Sequence, residues 1–387
     1  MTNVVFVGLG FGGLYSLRHF MDDAPPGIEV TAIDRRDRFV FTPLLYEYLA
    51  DELEVDVVAP KLSELVPEGV RLRQAEVVEI SVEECRIRLD DGSALTFDTL
   101  VLAPGSVPVY HGVPGAERNS FPFYSLDDAD RLKTALRLRD WAAGGLPVAV
   151  VGGGVVGIEL AFALTELVGS NGGAVKPPVV VLEAATDILA GVDDSVRAMA
   201  RRKLDELGIE LRTGVRVEEV EESAITFQAD GRRERLETVA VAWTAGIQPN
   251  PILDMLPAER QGKHGVTVAP TLQLPAANHV FVVGDAIAYP GRADGEPPLP
   301  DTAQAALQEA PVCATNVRRL IGNRKQLREF QYDGMGEFLR VGHGKAIANI
   351  RGAVVDGAAA ALARRAAYLL RMPAWAVRSA AVRQWLT

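Results

Sequence analysis

An α/β chain of two parallel-sheet units, each carrying a small antiparallel meander and together followed by an amphipathic helical tail, is predicted by three observations. A glycine-spaced turn occurs twice, at Gly8, Gly10 and Gly13 and again at Gly152, Gly154 and Gly157, each time between an apolar run and a helix-like stretch. Each copy leads to a second apolar run that ends on an acid, Asp34 in the first and Glu183 in the second. Strands that alternate with helical stretches in this way read as βαβ units of a parallel sheet.

The first strand covers residues 3–7 and leads through the glycine turn into a helix beginning near Leu14; residues 28–33 form the next strand and deliver Asp34. The second copy repeats this with residues 147–151, a helix through Ile158 and Phe162, and residues 179–182 before Glu183. The glycines have separable uses: one permits the tight turn, one lets backbone approach a pyrophosphate, one lets helix and strand pack closely. The anion then rests on free amide groups at the helix N-terminus. An acid at the end of the second strand can accept hydrogen bonds from ribose hydroxyls. The order strand, turn, helix, strand, acid therefore predicts two Rossmann-like dinucleotide-binding units.

Residues 70–73, 77–80 and 86–89 are short strands, with a hairpin-like turn at Asp90, Asp91, Gly92 and Ser93, and they predict an antiparallel insertion. Residues 99–102 form a buried parallel strand that ends at Ala103, Pro104 and Gly105. The second unit repeats the scheme with strands near Leu211, Val217 and Phe227 and a last strand at residues 238–243, ending at Ala245 and Gly246. Residues 280–283 are a further buried strand ending at Gly284 and Asp285, followed by a helix over 302–320, and they are read as returning to the first unit. Ligands of open parallel sheets bind beyond the carboxyl ends of strands, where the Asp285 carboxylate can bond a polyol chain.

Composition bounds the function. At 48% hydrophobic and 24% charged, the 387 residues are globular and long enough for two or three domains. A net charge of −11 excludes a nucleic-acid partner that needs a basic face. Two cysteines, Cys85 and Cys313, and five scattered histidines support neither a disulfide framework nor a metal site, so no metal is expected. The sequence runs directly into its first strand and has no apolar stretch of about 18 residues, which predicts a cytoplasmic protein without a signal peptide or a spanning helix.

These residues resemble the two-dinucleotide flavoprotein disulfide-reductase superfamily and, within it, the type II NADH dehydrogenases, or NADH:quinone oxidoreductases. Residues 34–39 and 41–47 are similar to the family's segment beside the flavin ring, and residues 299–304 with Gln308 and Glu309 resemble its quinone-side motif. Residues 39–41, 54–57 and 364–373 look closest to the plastid and cyanobacterial branch that acts on naphthoquinones and plastoquinone. The resemblance implies FAD in residues 1–113 and 248–325, a nicotinamide nucleotide in 114–247, and a membrane-association and quinone-access region in 326–387. Around FAD it implies Gly8, Gly10, Gly12 and Gly13, then Asp34, Arg35, Thr42, Pro43 and Leu44, then Val78, Ala103, Pro104 and Gly105, and finally Gly284, Asp285 and Ala303. Around NADH, with NADPH as the alternative donor, it implies Gly152, Gly154, Val156, Gly157, Glu183, Ala245 and Gly246. Glu159 is implied near the flavin–nicotinamide contact, its alternative reading being a helix acid favoured by the dipole. Gln304 and Gln308, four apart on one helix face, are implied to orient the quinone.

The expected activity is two-electron transfer from NADH through FAD to a menaquinone-, ubiquinone- or plastoquinone-type acceptor in respiratory electron transport, without proton pumping. Disulfide reduction needs a redox cysteine pair, and none is spaced for it. Two rivals stay open: a soluble ferredoxin or rubredoxin reductase, and a non-catalytic FAD- and NADH-binding redox sensor. The tail favours the quinone, because residues 357–387 hold five arginines and no acid in an acidic chain. On a helix Leu362, Ala366, Leu369 and Leu370 share one face with Arg364 and Arg371 opposite; beyond Pro373, Trp375, Val382 and Leu386 share another. Such helices lie in the headgroup region, which predicts peripheral attachment to the inner face of the cell membrane through a tail dispensable for folding. Packing on the core, or at a homodimer interface, is the alternative.

Overall fold

The computed structural model describes residues 1–137, 145–170, 178–258, 265–289 and 299–386. The chain divides into two compact units, Met1–Phe39 with Pro60–Val107 and Ile247–Asp333, and Val40–Ala59 with Pro108–Gly246 and Gly334–Thr387.

The first unit is built on a six-stranded sheet in the order Gln273–Leu274, Ala277–Val282, Thr99–Leu102, Thr2–Val7, Ile28–Asp34, Val70–Gln74. Its strands are parallel except for Gln273–Leu274. The strand Ala277–Val282 does return to this sheet, pairing with Thr99–Leu102. The central strands are nearly continuous β-branched and apolar runs because a parallel sheet is covered on both faces. Helix Phe11–Met21 packs against helix Ala303–Ile321, whose N-cap Thr302 accepts from the Ala305 amide.

The second unit carries a five-stranded parallel sheet in the order Glu210–Thr213, Val179–Glu183, Val148–Val151, Ala240–Trp243, Phe121–Pro122. Antiparallel triplets accompany both sheets, Val77–Ser81, Arg86–Leu89 and Ala94–Thr96 in the first unit, and Arg216–Val220, Ala224–Ala229 and Arg232–Glu237 in the second. Two strands expected in the meanders sit elsewhere. Val70–Gln74 and Glu210–Thr213 extend the parallel sheets instead, pairing with Ile28–Asp34 and Val179–Glu183. A short half-buried strand alternates in polarity at the edge of a parallel sheet just as it does in a hairpin, so pattern alone does not separate the two.

The tail departs further from expectation. Glu337–Gly342, Lys345–Ile350 and Ala353–Asp356 form an antiparallel sheet, and helix Gly357–Arg371 covers it through the small side chains Ala346, Ala348, Ala360 and Ala361. The expectation of a tail uninvolved in folding is corrected: Arg364 is 3% exposed, forms an ion pair with Glu47 and donates to the Pro43 carbonyl at 2.9 Å. Trp385, on helix Trp375–Leu386, donates to the other Glu47 oxygen at 2.6 Å. The arginine that the helical wheel sets opposite the apolar stripe therefore points into the protein, and the stripe points out. Leu362, Leu370, Trp375 and Leu386 are 70%, 77%, 80% and 82% exposed.

Candidate functional site

Each glycine turn is a cradle whose three glycines act differently. Gly8 has φ +83°, and a Cβ there would lie 2.2 Å from the Ala103 carbonyl oxygen; Gly152 has φ +109° and would approach the Thr244 oxygen to 2.7 Å. A Cβ on Gly13 would lie 1.8 Å from the Gly8 oxygen, and one on Gly157 1.9 Å from the Gly152 oxygen. Gly8 and Gly152 let each turn pass against the end of the neighbouring strand, and Gly13 and Gly157 let the helix close onto its own turn. Gly10 and Gly154 are different, because a Cβ at either meets no protein atom within 4 Å. Space without a protein occupant, above a helix start with no side-chain cap in the Gly10 case, fits an anionic diphosphate held by free amides.

The acids lock these turns. Asp34, buried at the end of its strand, accepts from the Leu9 amide at 2.6 Å and the Arg36 amide at 2.9 Å, while Arg35 beside it is exposed. Glu183 repeats the arrangement with Gly153 at 2.5 Å and Ala185 at 2.6 Å. Each carboxylate keeps lone pairs for ribose hydroxyls. A Cβ at Gly153 would lie 2.9 Å from Ile188 Cγ2 and 3.0 Å from the Glu183 side chain, so a larger residue there would have to displace the acid that locks the turn.

In the first unit Ala103 lies against Gly8, and Pro104 accepts a 3.3 Å hydrogen bond from Asn250. A Cβ at Gly12 would approach Val283 Cγ2 to 3.0 Å and the Gly284 nitrogen to 3.5 Å, which brings the last turn of the sheet onto the first. Asp285 follows Gly284, with its Oδ2 accepting from the Ser106 hydroxyl at 2.8 Å. Burial raises the Asp285 carboxyl above its ordinary range, against the pull of that bond. Ser106 had no sequence signal beyond lying just past Gly105. Val78 sits at a bulge and is 36% exposed, and Ala303 opens the helix Ala303–Ile321.

The two glutamines on that helix are occupied within the first unit. Gln304 accepts from the Tyr332 hydroxyl at 2.8 Å, and Gln308 donates to the Asp333 carbonyl and accepts from its amide at 2.8 and 2.9 Å. Cys313 is fully buried on the same helix and burial pushes its thiol up to about 12, which removes it as a thiolate nucleophile. Among the described residues no metal-holding cluster occurs.

In the second unit Ala245 and Gly246 follow the strand Ala240–Trp243, with His111 Nε2 at 2.8 Å from the Ala245 oxygen. Val156 is 41% exposed on the first turn of helix Val155–Ser170. Thr42–Leu44 form a 3-10 turn beside Arg364, which bonds Pro43. Glu159 is not a solvated helix acid: it is 5% exposed and accepts from the Arg340 amide at 2.6 Å. Burial raises its carboxyl to about 7, and Arg364 and Arg340 only partly offset that. Burial lifts the Tyr46 hydroxyl as well, helped by its hydrogen bond to Glu159. Arg340, 2% exposed, forms ion pairs with Glu52 and Glu166. Glu52, Glu166 and Arg340 carry no local motif, and Glu47 lies in the segment 41–47 without any sign there of its distant partner, so sequence reasoning missed this network.

The comparisons with known proteins meet this geometry. The family model described as pyridine nucleotide-disulphide oxidoreductase matches residues 2–310. The chain belongs to that family. Demethylphylloquinone reductase NdbB of Synechocystis sp. is 32% identical over 395 residues, covering 99% of this chain and 95% of its own. Alternative NAD(P)H-ubiquinone oxidoreductase C1 of Arabidopsis thaliana is 30% identical, covering 96% and 78%. The solved structure of NDH2 from Plasmodium falciparum in complex with NADH superposes with a TM-score of 0.88 over 100% of this chain and 97% of that one, at 16% identity, which shows the shared fold. Within the family the chain groups with the type II NADH:quinone oxidoreductases.

Proposed function

We propose that this member of the pyridine nucleotide-disulphide oxidoreductase family is a peripheral NAD(P)H:quinone oxidoreductase. The observation that carries this is the pair of open cradles at Gly10 and Gly154 on a chain whose one helix cysteine is a buried, protonated thiol. Bound FAD supplies the two-electron chemistry between nicotinamide and quinone. FAD is assigned to residues 1–113 with 248–325, and the nicotinamide nucleotide to 114–247. The chain's own contributions are orientation and charge. Asp34 and Glu183 hold the turns and face the riboses, and Asp285 meets the ribityl chain. Gln304 and Gln308 shape the quinone side through the backbone they hold, and Glu159 keeps an exchangeable proton near neutrality. The decisive experiment is the spectrum of the yellow protein on NADH addition and then on addition of a short-chain quinone. Bleaching followed by recovery supports the reading; bleaching that ferredoxin reverses and quinone does not would replace it with a soluble reductase.

The nucleotide preference follows from Glu183. Its carboxylate is fixed by two amides, suits a free 2′-hydroxyl and repels a 2′-phosphate. NADH is expected to exceed NADPH in kcat/KM by more than about tenfold, equivalent to about 1.4 kcal/mol. Equal values for the two donors would count against that role.

The acceptor we infer is a lipid quinone, reached through the outward apolar faces of the last two helices. No helix among the described residues is long and apolar enough to cross a membrane. These faces support peripheral attachment to a membrane, which we assign to the inner face of the cell membrane. Leu362→Glu combined with Leu370→Glu is expected to weaken binding to anionic vesicles by about a hundredfold, taking about 1.5 kcal/mol per leucine. Melting temperature and flavin content should not move, since both side chains are more than two-thirds exposed. A wild-type protein that stays in the supernatant at low salt, and sediments as a dimer that this double variant splits, would assign the faces to a second copy.

A further inference from the structure

Arg340 holds two acids of one helix at once. Its main-chain amide donates to Glu159 Oε1 at 2.6 Å, while its guanidinium Nη2 pairs with Glu166 and with Glu52. Glu159 and Glu166 lie seven residues apart on helix Val155–Ser170, two turns along the same face. One residue of the strand Glu337–Gly342 therefore grips that face at two heights, by backbone and by side chain. The His343 amide, which also donates to Glu166, adds a third hold.

The strand is built for this contact. It is an edge of its sheet, so some of its amides face away from the neighbouring strand, and its register shifts between Arg340 and Gly342 in a bulge that re-aims the backbone there. The guanidinium is buried and its Nη1 has no hydrogen-bond partner among the described residues, so Glu52 and Glu166 compensate its charge and it does not move without leaving them. The titratable and charged groups that face Glu159 are Tyr46 and Glu47 from helix Leu45–Leu49, Arg364 and Tyr368 from helix Gly357–Arg371, and Arg340 from the strand. Of these, Glu47 is committed to Arg364, and Tyr46 donates to Glu159. Because the Arg340 amide engages Oε1, the proton of the carboxylic acid is carried by Oε2.

We propose that Arg340 is a positioning residue for Glu159: clamped between Glu52 and Glu166, it fixes the strand so that its own amide holds one oxygen of Glu159 and governs how readily the other releases a proton. The proposal rests on the reading of Glu159 as the acid that keeps an exchangeable proton. An amide bonds a carboxylate more strongly than a neutral acid, so the clamp favours the ionised form and its loosening favours the protonated one. Glu166→Ala separates this from simple charge. Removing a negative charge while Arg340 stays would, by charge alone, favour ionised Glu159, whereas releasing the strand does the opposite.

The test is an infrared pH titration of the holoenzyme between about pH 5 and 9, following the carboxyl band that Glu159→Gln removes, in wild type, Glu166→Ala and Arg340→Met. In both variants the midpoint of that band is expected to rise by about one pH unit or more, a tenfold weaker acid, as the loss of a hydrogen bond to a charged group gives. A midpoint that falls or stays in Glu166→Ala overturns the proposal, and so does the absence of such a band in wild type. Should Arg340→Met fail to fold, Glu166→Ala decides alone, since Glu166 is half-buried and its loss leaves Arg340 paired with Glu52. The alkaline limb of kcat with a short-chain quinone, measured on the same proteins, should move with the band. A band that moves while kcat does not upholds the hold of Arg340 and removes Glu159 from turnover, a separate outcome.

Discussion

Gly10→Val is expected to give a folded, colourless protein, and Gly154→Val a folded yellow one that NADH no longer reduces. The separation of ligand from fold comes from the open space at these two glycines. A Cβ at either meets no protein atom within 4 Å, and Gly10 already has φ −76°, which valine adopts without strain. The branched side chain fills the space left for the diphosphate and keeps it from the free amides of the helix start. Flavin content of Gly10→Val should fall to about a tenth of wild type or below, which at FAD about tenfold above the wild-type Kd takes a loss of about 2.8 kcal/mol, a hundredfold in Kd. Gly13→Val serves as the contrast, because its Cβ would lie 1.8 Å from the Gly8 oxygen and the turn itself would break. Flavin content and thermal melting together read this out. A Gly154 variant that lost its flavin while the Gly10 variant kept it would exchange the two nucleotides.

Much of this site was legible because Rossmann chemistry is local. The glycines, the strand and the acid lie within some thirty residues, and each is forced by backbone geometry that leaves a residue-type signature. The return of Ala277–Val282 to the first sheet was legible too, since the apolar run at residues 280–283, ending in Gly284 and Asp285, reads as a buried parallel strand. The edge strands Val70–Gln74 and Glu210–Thr213 were misplaced, as half-buried alternation is shared by parallel edges and hairpins. The sheet over residues 337–356 was overlooked although His343 with Gly344 and Arg351 with Gly352 mark its turns, Gly344 at φ +60° and Gly352 at φ +88°. The buried charges were beyond reach for a different reason. Arg364 finds Glu47 across 317 positions of sequence, and a helical wheel reports which residues share a face without reporting what that face meets.

Removing residues 357–387 is expected to destabilise the protein rather than free it from a membrane, and Arg364→Met should reproduce much of the loss. Glu47 is 2% exposed and is held by two residues of the tail, Arg364 and Trp385. Burial works to raise the Glu47 carboxyl, and Arg364, with its hydrogen bond and that of Trp385, overrides it and keeps the carboxyl below its ordinary range. Taking away one partner of such a pair leaves an uncompensated buried charge, which costs about 3–5 kcal/mol. That is a large share of the roughly 5–15 kcal/mol that holds a domain folded. For a unit of this size it corresponds to a fall in melting temperature of about 6–20 °C. The pH dependence carries the mechanism. In wild type the depressed carboxyl contributes stability that is present above its unfolded value and lost as pH falls through the folded one. In Arg364→Met the sign reverses: burial alone raises the carboxyl, so the deficit is smallest near about pH 4 and grows toward neutrality. Glu47→Leu added to Arg364→Met should recover part of the stability, because an apolar pair of similar volume carries no desolvation cost. A truncated protein that stays soluble and yellow with an unchanged melting temperature, or an Arg364→Met deficit that does not vary with pH, would return the tail to a role outside the fold and leave the burial of Glu47 without energetic consequence.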